Sequence, residues 1–192
     1  MTIEPSRGEP AERDDHDLLR AIGRGDRSAL VTLYERHARV VLSHLVLLTA
    51  DHGFSEEILQ DTMLAVWRGA GRFRGEASVR SWIIAIARRQ CRDRQRRKRP
   101  ATVGQEVLAD RPSLEPGPEQ RALDRMSAGT VMEAIKGLTP QHREILGLVF
   151  GGGLSLGETA QVLEIPVGTV KSRLSAARAA LVRSMPEKGY AS

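Results

Sequence analysis

The stretch Pro166-Val-Gly-Thr-Val-Lys-Ser-Arg-Leu-Ser-Ala-Ala-Arg-Ala-Ala-Leu181 decides what kind of molecule this chain is. Val170, Leu174, Ala177 and Leu181 recur at intervals of three and four and form one apolar stripe, the mark of an amphipathic helix. Thr169, Lys171, Ser172, Arg173 and Ser175 fall mostly off that stripe and near the helix start, where short polar and cationic side chains suit phosphates and base edges. Just upstream, Leu154-Ser-Leu-Gly-Glu-Thr-Ala-Gln-Val-Leu163 opens on Ser155, a favourable N-cap. It sets Leu156, Thr159, Ala160 and Leu163 on one face. Glu164-Ile165-Pro166-Val167 interrupts the period, because proline keeps the preceding residue out of the helical region, and a second helix restarts at about Gly168. The reading is helix, turn, helix.

Toward the N-terminus, residues 100–124 carry Pro100, Pro112, Pro116 and Pro118 with Gly104 and Gly117, and set five acids (Glu106, Asp110, Glu115, Glu119, Asp124) against Arg111 and Arg121. No helical period survives there, so the segment reads as a flexible acidic linker between two basic bodies. Residues 1–16 are polar and read as a disordered tail, and 187–192 as a short C-terminal tail. The first body, 17–99, is helical throughout, with no stretch alternating like a strand. Its second helix, Ser28 to about Leu48, directs Leu30, Leu33, Tyr34, Val41, Leu45 and Leu48 inward. A third, from about Ser55 to Arg68 with Ser55 as N-cap, buries Leu59, Met63, Val66 and Trp67. Glu57, Asp61, Leu64 and Arg68 lie opposite, and acids mixed with an apolar leucine are unusual on a face that meets only water. That face is read as partner-binding.

A glycine-punctuated loop, Gly69 to Gly75, holds Phe73. The helix after it, about Ser78 to Arg97, buries Val79, Trp82, Ile83, Ile86 and Gln90 and then turns strongly basic. Arg88, Arg89, Arg92, Arg94, Arg96, Arg97, Lys98 and Arg99 face a single acid, Asp93. Such density repels itself and is tolerated opposite an anion, most often nucleic acid. Phosphate contacts of this kind position a protein without choosing a sequence.

Composition excludes more than it assigns. The 192 residues carry a net charge of +5 and 4% aromatics, which fits small helical domains. A single cysteine, Cys91, cannot form an internal disulfide, and as a small residue in an amphipathic segment it reads as inert packing. No apolar run reaches the roughly 20 residues of a membrane span, and the N-terminus is unlike a signal peptide, so a cytoplasmic protein without membrane insertion is expected. His37, His44, His52 and His142 lack zinc spacing, and Asp14-Asp15-His16-Asp17 has no second ligand set. Neither a metal, a cofactor nor a catalytic site of its own is expected.

The run Glu56-Glu-Ile-Leu-Gln-Asp-Thr-Met-Leu-Ala-Val-Trp-Arg68, then Phe73, Ser81-Trp-Ile-Ile-Ala-Ile-Ala-Arg88 and Asp93, resembles conserved region 2 of the extracytoplasmic-function (group 4) sigma factors of the sigma-70 family. Leu138-Thr-Pro-Gln-His-Arg-Glu-Ile-Leu146 and the helix-turn-helix resemble region 4 of the same family. The resemblance implies an all-α chain of two small helical domains: region 2 over 17–99 and region 4 over 125–186. It implies an alternative sigma factor that binds core RNA polymerase, recognises minus-ten and minus-thirty-five promoter elements and promotes transcription initiation. Glu57, Gln60, Asp61 and Leu64 would meet the beta-prime coiled coil, and region 4 the beta flap. Arg72, Phe73, Arg74 and Ser81 would capture a flipped base of the minus-ten element, and Arg88, Arg89, Arg92 and Arg96 would hold the adjacent DNA. Thr169, Lys171, Ser172 and Arg173 would read the minus-thirty-five element, with Arg178 on phosphate. An anti-sigma factor is implied as a further partner. Against the family pattern, Arg89 stands where asparagine is frequent, Glu164 where glycine is frequent, Ala176 where arginine is frequent, and Gly151-Gly-Gly153 is expected to loosen the approach to the helix-turn-helix. The alternative is a free-standing helix-turn-helix regulator of the LuxR type, which also uses a Thr-Val-Lys-Ser helix but would need a receiver or ligand domain, and residues 17–99 show neither the strand–helix alternation nor the paired acids of a receiver.

Overall fold

The computed structural model describes residues 14–98 and 128–184; the expected linker 100–124, most of the N-terminal tail and the C-terminal tail lie outside the described residues. All regular structure among the described residues is helical. Helix α1 spans Asp15–Gly23 and so begins inside the residues read as a tail, because the Asp14 carboxylate caps it by accepting from the Asp17 amide at 2.7 Å. Asp15 and His16 therefore belong to the helix and not to the tail, with Asp14 as its cap. Helix α2, Arg27–Thr49, starts on Asp26, which accepts from the Ser28 and Ala29 amides. Helix α3, His52–Gly69, is capped by Asp51 and not by Ser55. Ser55 is buried one turn further in, donating to the Asp51 carbonyl at 2.6 Å and touching Thr49 Oγ1 at 2.8 Å. A 3-10 turn, Ala70–Arg72, leads through the loop to α4, Val79–Lys98.

These four helices close around Leu18, Leu19, Ile22, Leu33, Val41, Leu45, Ile58, Val66 and Ile83. Tyr34 corrects the sequence reading: it is 45% exposed. The buried line of α2 is Leu33, His37, Val41, His44 and Leu48, and Tyr34 stands about 100° around the helix from Leu33.

The second body begins with α5, Ala128–Lys136, followed by α6, Pro140–Leu146. Thr139 caps α6 and Pro140 occupies its first turn, where a missing amide proton costs nothing. The chain continues as a π turn, Gly147–Gly151, then α7, Leu156–Leu163, and α8, Val167–Ser184. Ala134, Ile135, Leu138, Ile145, Leu146, Val170, Leu174, Ala177 and Leu181 form its core.

The two bodies are packed against each other. Leu148 and Leu154 are buried in the core of the first body, and Val162 and Leu163 pack on it. Of the expected stripe on α4 only Val79 and Ile83 are fully buried and Trp82, Ile86 and Gln90 are partly so, whereas Ile84, Ala87 and Cys91, off that stripe, are fully buried. Gly151, Gly152 and Gly153 are the reverse of a loose approach. A Cβ on Gly151 would lie 2.8 Å from the His44 backbone nitrogen and Cα, and one on Gly152 would lie 2.8 Å from Ile84 Cδ1. Absent side chains let this backbone lie directly on α2 and α4. Gly153 then turns the chain with φ +62°, in the left-handed region.

Candidate nucleic-acid interface

Helix α8 gains its start from Pro166, whose carbonyl accepts from the Thr169 amide at 2.9 Å and the Val170 amide at 3.1 Å. Its apolar stripe is buried as expected, which turns the early polar residues outward. Lys171 is exposed, while Thr169, Ser172 and Arg173 are half-buried. Ser172 Oγ donates to the Thr169 carbonyl at 3.0 Å, a bond that competes with any base contact it makes. Helix α7 ends on Glu164 in the left-handed region, φ +57°, a conformation that costs a non-glycine residue about 1–2 kcal/mol. The turn therefore keeps its shape without the glycine. Arg178 does not project into solvent: its guanidinium lies 5.3 Å from the centroid of the Phe150 ring, in cation–π range, and its Nε is buried without a hydrogen-bond partner.

In the loop before α4, Phe73 is half-buried between His16 and Trp82, with ring centroids 5.3 and 5.2 Å away. Arg72 and Arg74 flank it, both exposed. Ser81 is 2% exposed, and its Oγ donates at 2.9 Å to Glu158 of α7. Along α4 the cations divide. Arg89, Arg92 and Arg96, at i, i+3 and i+7, are exposed, with Arg89 and Arg96 no closer than 3.9 and 3.5 Å to Asp93. Arg88 is turned into the second body, donating from Nε to Glu144 at 2.6 Å and from Nη1 to the Val162 carbonyl at 3.4 Å. Arg94 faces the opposite way and clasps the acidic stripe of α3, reaching Glu57 at 2.6 Å and Asp61 at 2.6 Å. The Asp61 hydrogen bond is the main reason its guanidinium is held even more firmly protonated than usual.

On that stripe Glu57 and Gln60 are exposed, Asp61 is half-buried and Leu64 is 53% exposed. The structure thus brings all four residues to one surface, partly neutralised by a cation from the neighbouring helix. Sequence reasoning placed Arg94 with the cations facing nucleic acid and not on Glu57 and Asp61, and it missed Glu144, Glu158 and Phe150. The Ser155–Glu158 spacing does mark a capping box, with Ser155 Oγ accepting from the Glu158 amide at 3.2 Å and Glu158 Oε2 accepting from the Ser155 amide at 2.9 Å. That the second carboxylate oxygen reaches across to Ser78 and Ser81 has no signature in the chain. The Ser78 hydroxyl and then the Ser155 amide pull the Glu158 carboxyl down to about 2. Burial pushes the Cys91 thiol up to about 11, which keeps it an unreactive part of the packing.

Residues 33–101 match the family described as Sigma-70 region 2, and residues 134–182 match Sigma-70, region 4. The chain is similar to the ECF RNA polymerase sigma factor SigM of Mycobacterium tuberculosis, 36% identical over 178 residues that cover 90% of this chain and 85% of that one. It is also similar to the ECF RNA polymerase sigma factor SigK of Mycobacterium ulcerans, 31% identical over 87% of this chain and 91% of the other. Among solved structures it resembles CnrH in complex with the cytosolic domain of CnrY, with a TM-score of 0.62 at 25% identity, covering 88% of this chain and 95% of that chain. The sigma factor RpoE in complex with the anti-sigma factor NepR from Bartonella quintana shares the fold, with a TM-score of 0.56 at 20% identity over 87% of this chain and 91% of the other.

Proposed function

This chain belongs to the extracytoplasmic-function family of RNA polymerase sigma factors, and from that premise we propose how its surfaces divide the work of promoter recognition. Residues 17–99 act as region 2 and 125–186 as region 4. Glu57, Gln60, Asp61 and Leu64 dock on the beta-prime coiled coil of core RNA polymerase, where an exposed leucine framed by carboxylates suits a partner with a basic rim and an apolar centre. Arg72, Phe73, Arg74 and Ser81 receive the flipped minus-ten base. Unstacking costs a few kcal/mol and is offset by stacking and pocket contacts. Arg89, Arg92 and Arg96, with Arg88 once it leaves Glu144, hold the neighbouring phosphates. Thr169, Lys171, Ser172 and Arg173 read the minus-thirty-five element, and region 4 meets the beta flap.

The observation that carries this reading is the pairing of a region 2 match and a region 4 match, in that order, on one chain. It supports the sigma factor over a LuxR-type regulator, which has no use for a region 2. The factor works as a specificity subunit, with the polymerase core supplying the chemistry. It works in the cytoplasm, where that core is; no helix among the described residues is long and apolar enough to cross a membrane. The complex of the similarly folded RpoE with the anti-sigma factor NepR supports an anti-sigma factor as a further partner.

Run-off transcription with purified chain, bacterial core polymerase and a library of promoter fragments tests the reading. Specific starts with the wild type, lost with Asp61→Arg, are expected. The absence of any start together with duplex binding that needs no core would replace the sigma factor with a free-standing regulator.

A further inference from the structure

Helix α1 touches the loop proposed to receive the flipped minus-ten base, and it does so at both of its ends. At the C-terminal end Gly23 lies backbone to backbone on the 3-10 turn, where a Cβ would stand 3.1 Å from Gly71 Cα and 3.2 Å from Gly71 N. At the N-terminal end the His16 ring packs on Phe73, with centroids 5.3 Å apart and planes inclined by 54°. His16 Cε1 would also lie 3.8 Å from a Cβ on Gly75, which turns the loop with φ +76°. Phe73 thus stands between Trp82 and His16 and is half-buried, as is Trp82; of the three rings only His16 is exposed. A base that enters beside Phe73 therefore meets an imidazole as the most accessible aromatic surface.

We infer that His16 is a further base-contacting residue: its imidazole forms the outer wall of the minus-ten pocket and stacks on the flipped base, so that α1 takes part in base capture together with the loop. This inference rests on the assignment of the loop around Phe73 to the minus-ten base. Aromatic rings, histidine included, are the platforms on which unpaired bases stack, because every base has a π-face. The wall is held in place before DNA arrives. Asp14 caps the turn that carries His16, and Asp15 in the same turn pairs with Arg36 at 3.0 Å and His37 at 2.6 Å on α2. A ring fixed in this way loses little freedom when a base settles on it. The surroundings suit a nucleotide, since Arg72 and Arg74 are exposed on either side of Phe73, and Arg20 is exposed one turn along α1 from His16. Cations placed around a stacking surface can take the phosphates on either side of the captured base.

Holoenzyme is assembled from core RNA polymerase and the full chain as wild type, His16→Ala or His16→Phe. Anisotropy reads its binding of a fluorescein-labelled non-template single strand from a promoter recovered in the run-off assay. The strand is used intact and with an abasic site at each minus-ten position in turn. His16→Ala is expected to weaken binding of the intact strand about tenfold, and His16→Phe, which keeps a ring without its nitrogens, to restore most of that loss. With the abasic site at the captured position, His16→Ala and wild type are expected to bind within about twofold of each other, because the ring then has no base to stack on. A purely structural role for His16 would not make the loss depend on one base. Equal losses on the intact and every abasic strand, or no loss on the intact strand, would overturn the assignment of His16 and leave the sigma factor reading standing. No start from any promoter with the wild type would remove that reading and the role of His16 with it.

Discussion

At the scale of single residues, the acidic stripe of α3 shows how a neighbour changes the meaning of a sequence pattern. Glu57 and Asp61 are spaced to share a face, yet Arg94 from α4 bridges both, so the surface offered to a partner carries less negative charge than its composition suggests. Arg94→Ala should therefore leave the fold intact and tighten association with core polymerase severalfold at low salt, whereas Asp61→Arg should abolish it; pull-down titrations of the two variants separate the cases. On α8, Lys171→Ala and Arg173→Ala should each weaken binding of holoenzyme to a minus-thirty-five duplex by about 1–3 kcal/mol per lost contact. If Lys171 touches only phosphate, the slope of log affinity against log salt should also fall by about 1. A footprint unchanged upstream in both variants would count against the assignment. Asp15 illustrates a residue that a polar-tail reading had set aside: burial works against its charge, but hydrogen bonds from Arg36 at 3.0 Å and His37 at 2.6 Å prevail and hold its carboxyl below the usual range. It ties α1 to α2.

At the scale of elements, the contact between α2 and the π turn rests on a fully buried histidine. His44 lies against the Gly147 backbone, neither ring nitrogen makes a well-formed hydrogen bond, and burial drives its pKa down to about 4, with Glu144 opposing and Arg88 reinforcing that shift. The sign follows from proton uptake. Between about pH 6.5 and pH 4 the unfolded chain holds a proton on this ring that the packed form does not, so stability is complete above the upper value and falls as pH drops toward the lower one. The loss should be of the order of 3 kcal/mol. Urea midpoints measured across that range should show it, and His44→Phe should flatten the profile; an equally steep profile in the variant would assign it to other groups. Helix α7 depends on its capping box in the same local way. Ser155→Ala should cost about 1 kcal/mol and raise the Glu158 carboxyl, which a carboxyl-resolved NMR titration would detect.

At the scale of the whole molecule, two helical bodies share buried side chains across their boundary, and Leu148 and Leu154 are part of the first body's core. Leu148→Ala should therefore behave as a core truncation, costing about 2–5 kcal/mol in chemical denaturation of the full chain. If the bodies do not communicate in solution, the same substitution should cost much less than that range.

The helical class, the two bodies, the amphipathic stripes of α2, α3 and α8, and the helix-turn-helix were all legible, because each depends on local periodicity and on capping within a few residues. Family resemblance added the assignment to polymerase and promoter, carried by motifs that lie within single helices. What only the tertiary structure decided concerns pairs far apart in the chain: Arg94 with Glu57 and Asp61, Arg88 with Glu144, Ser78 and Ser81 with Glu158, and the glycine run against His44 and Ile84. Periodicity records which side of a helix is buried, but it does not record which helix does the burying. Ile84 looks like a surplus apolar residue on α4 until Gly152 of the second body lies against it. A glycine suited to close backbone approach has the same one-letter signature as a glycine in a loose turn. The local pattern therefore determined the parts of this protein, and long-range packing determined which of its charges are free to meet DNA.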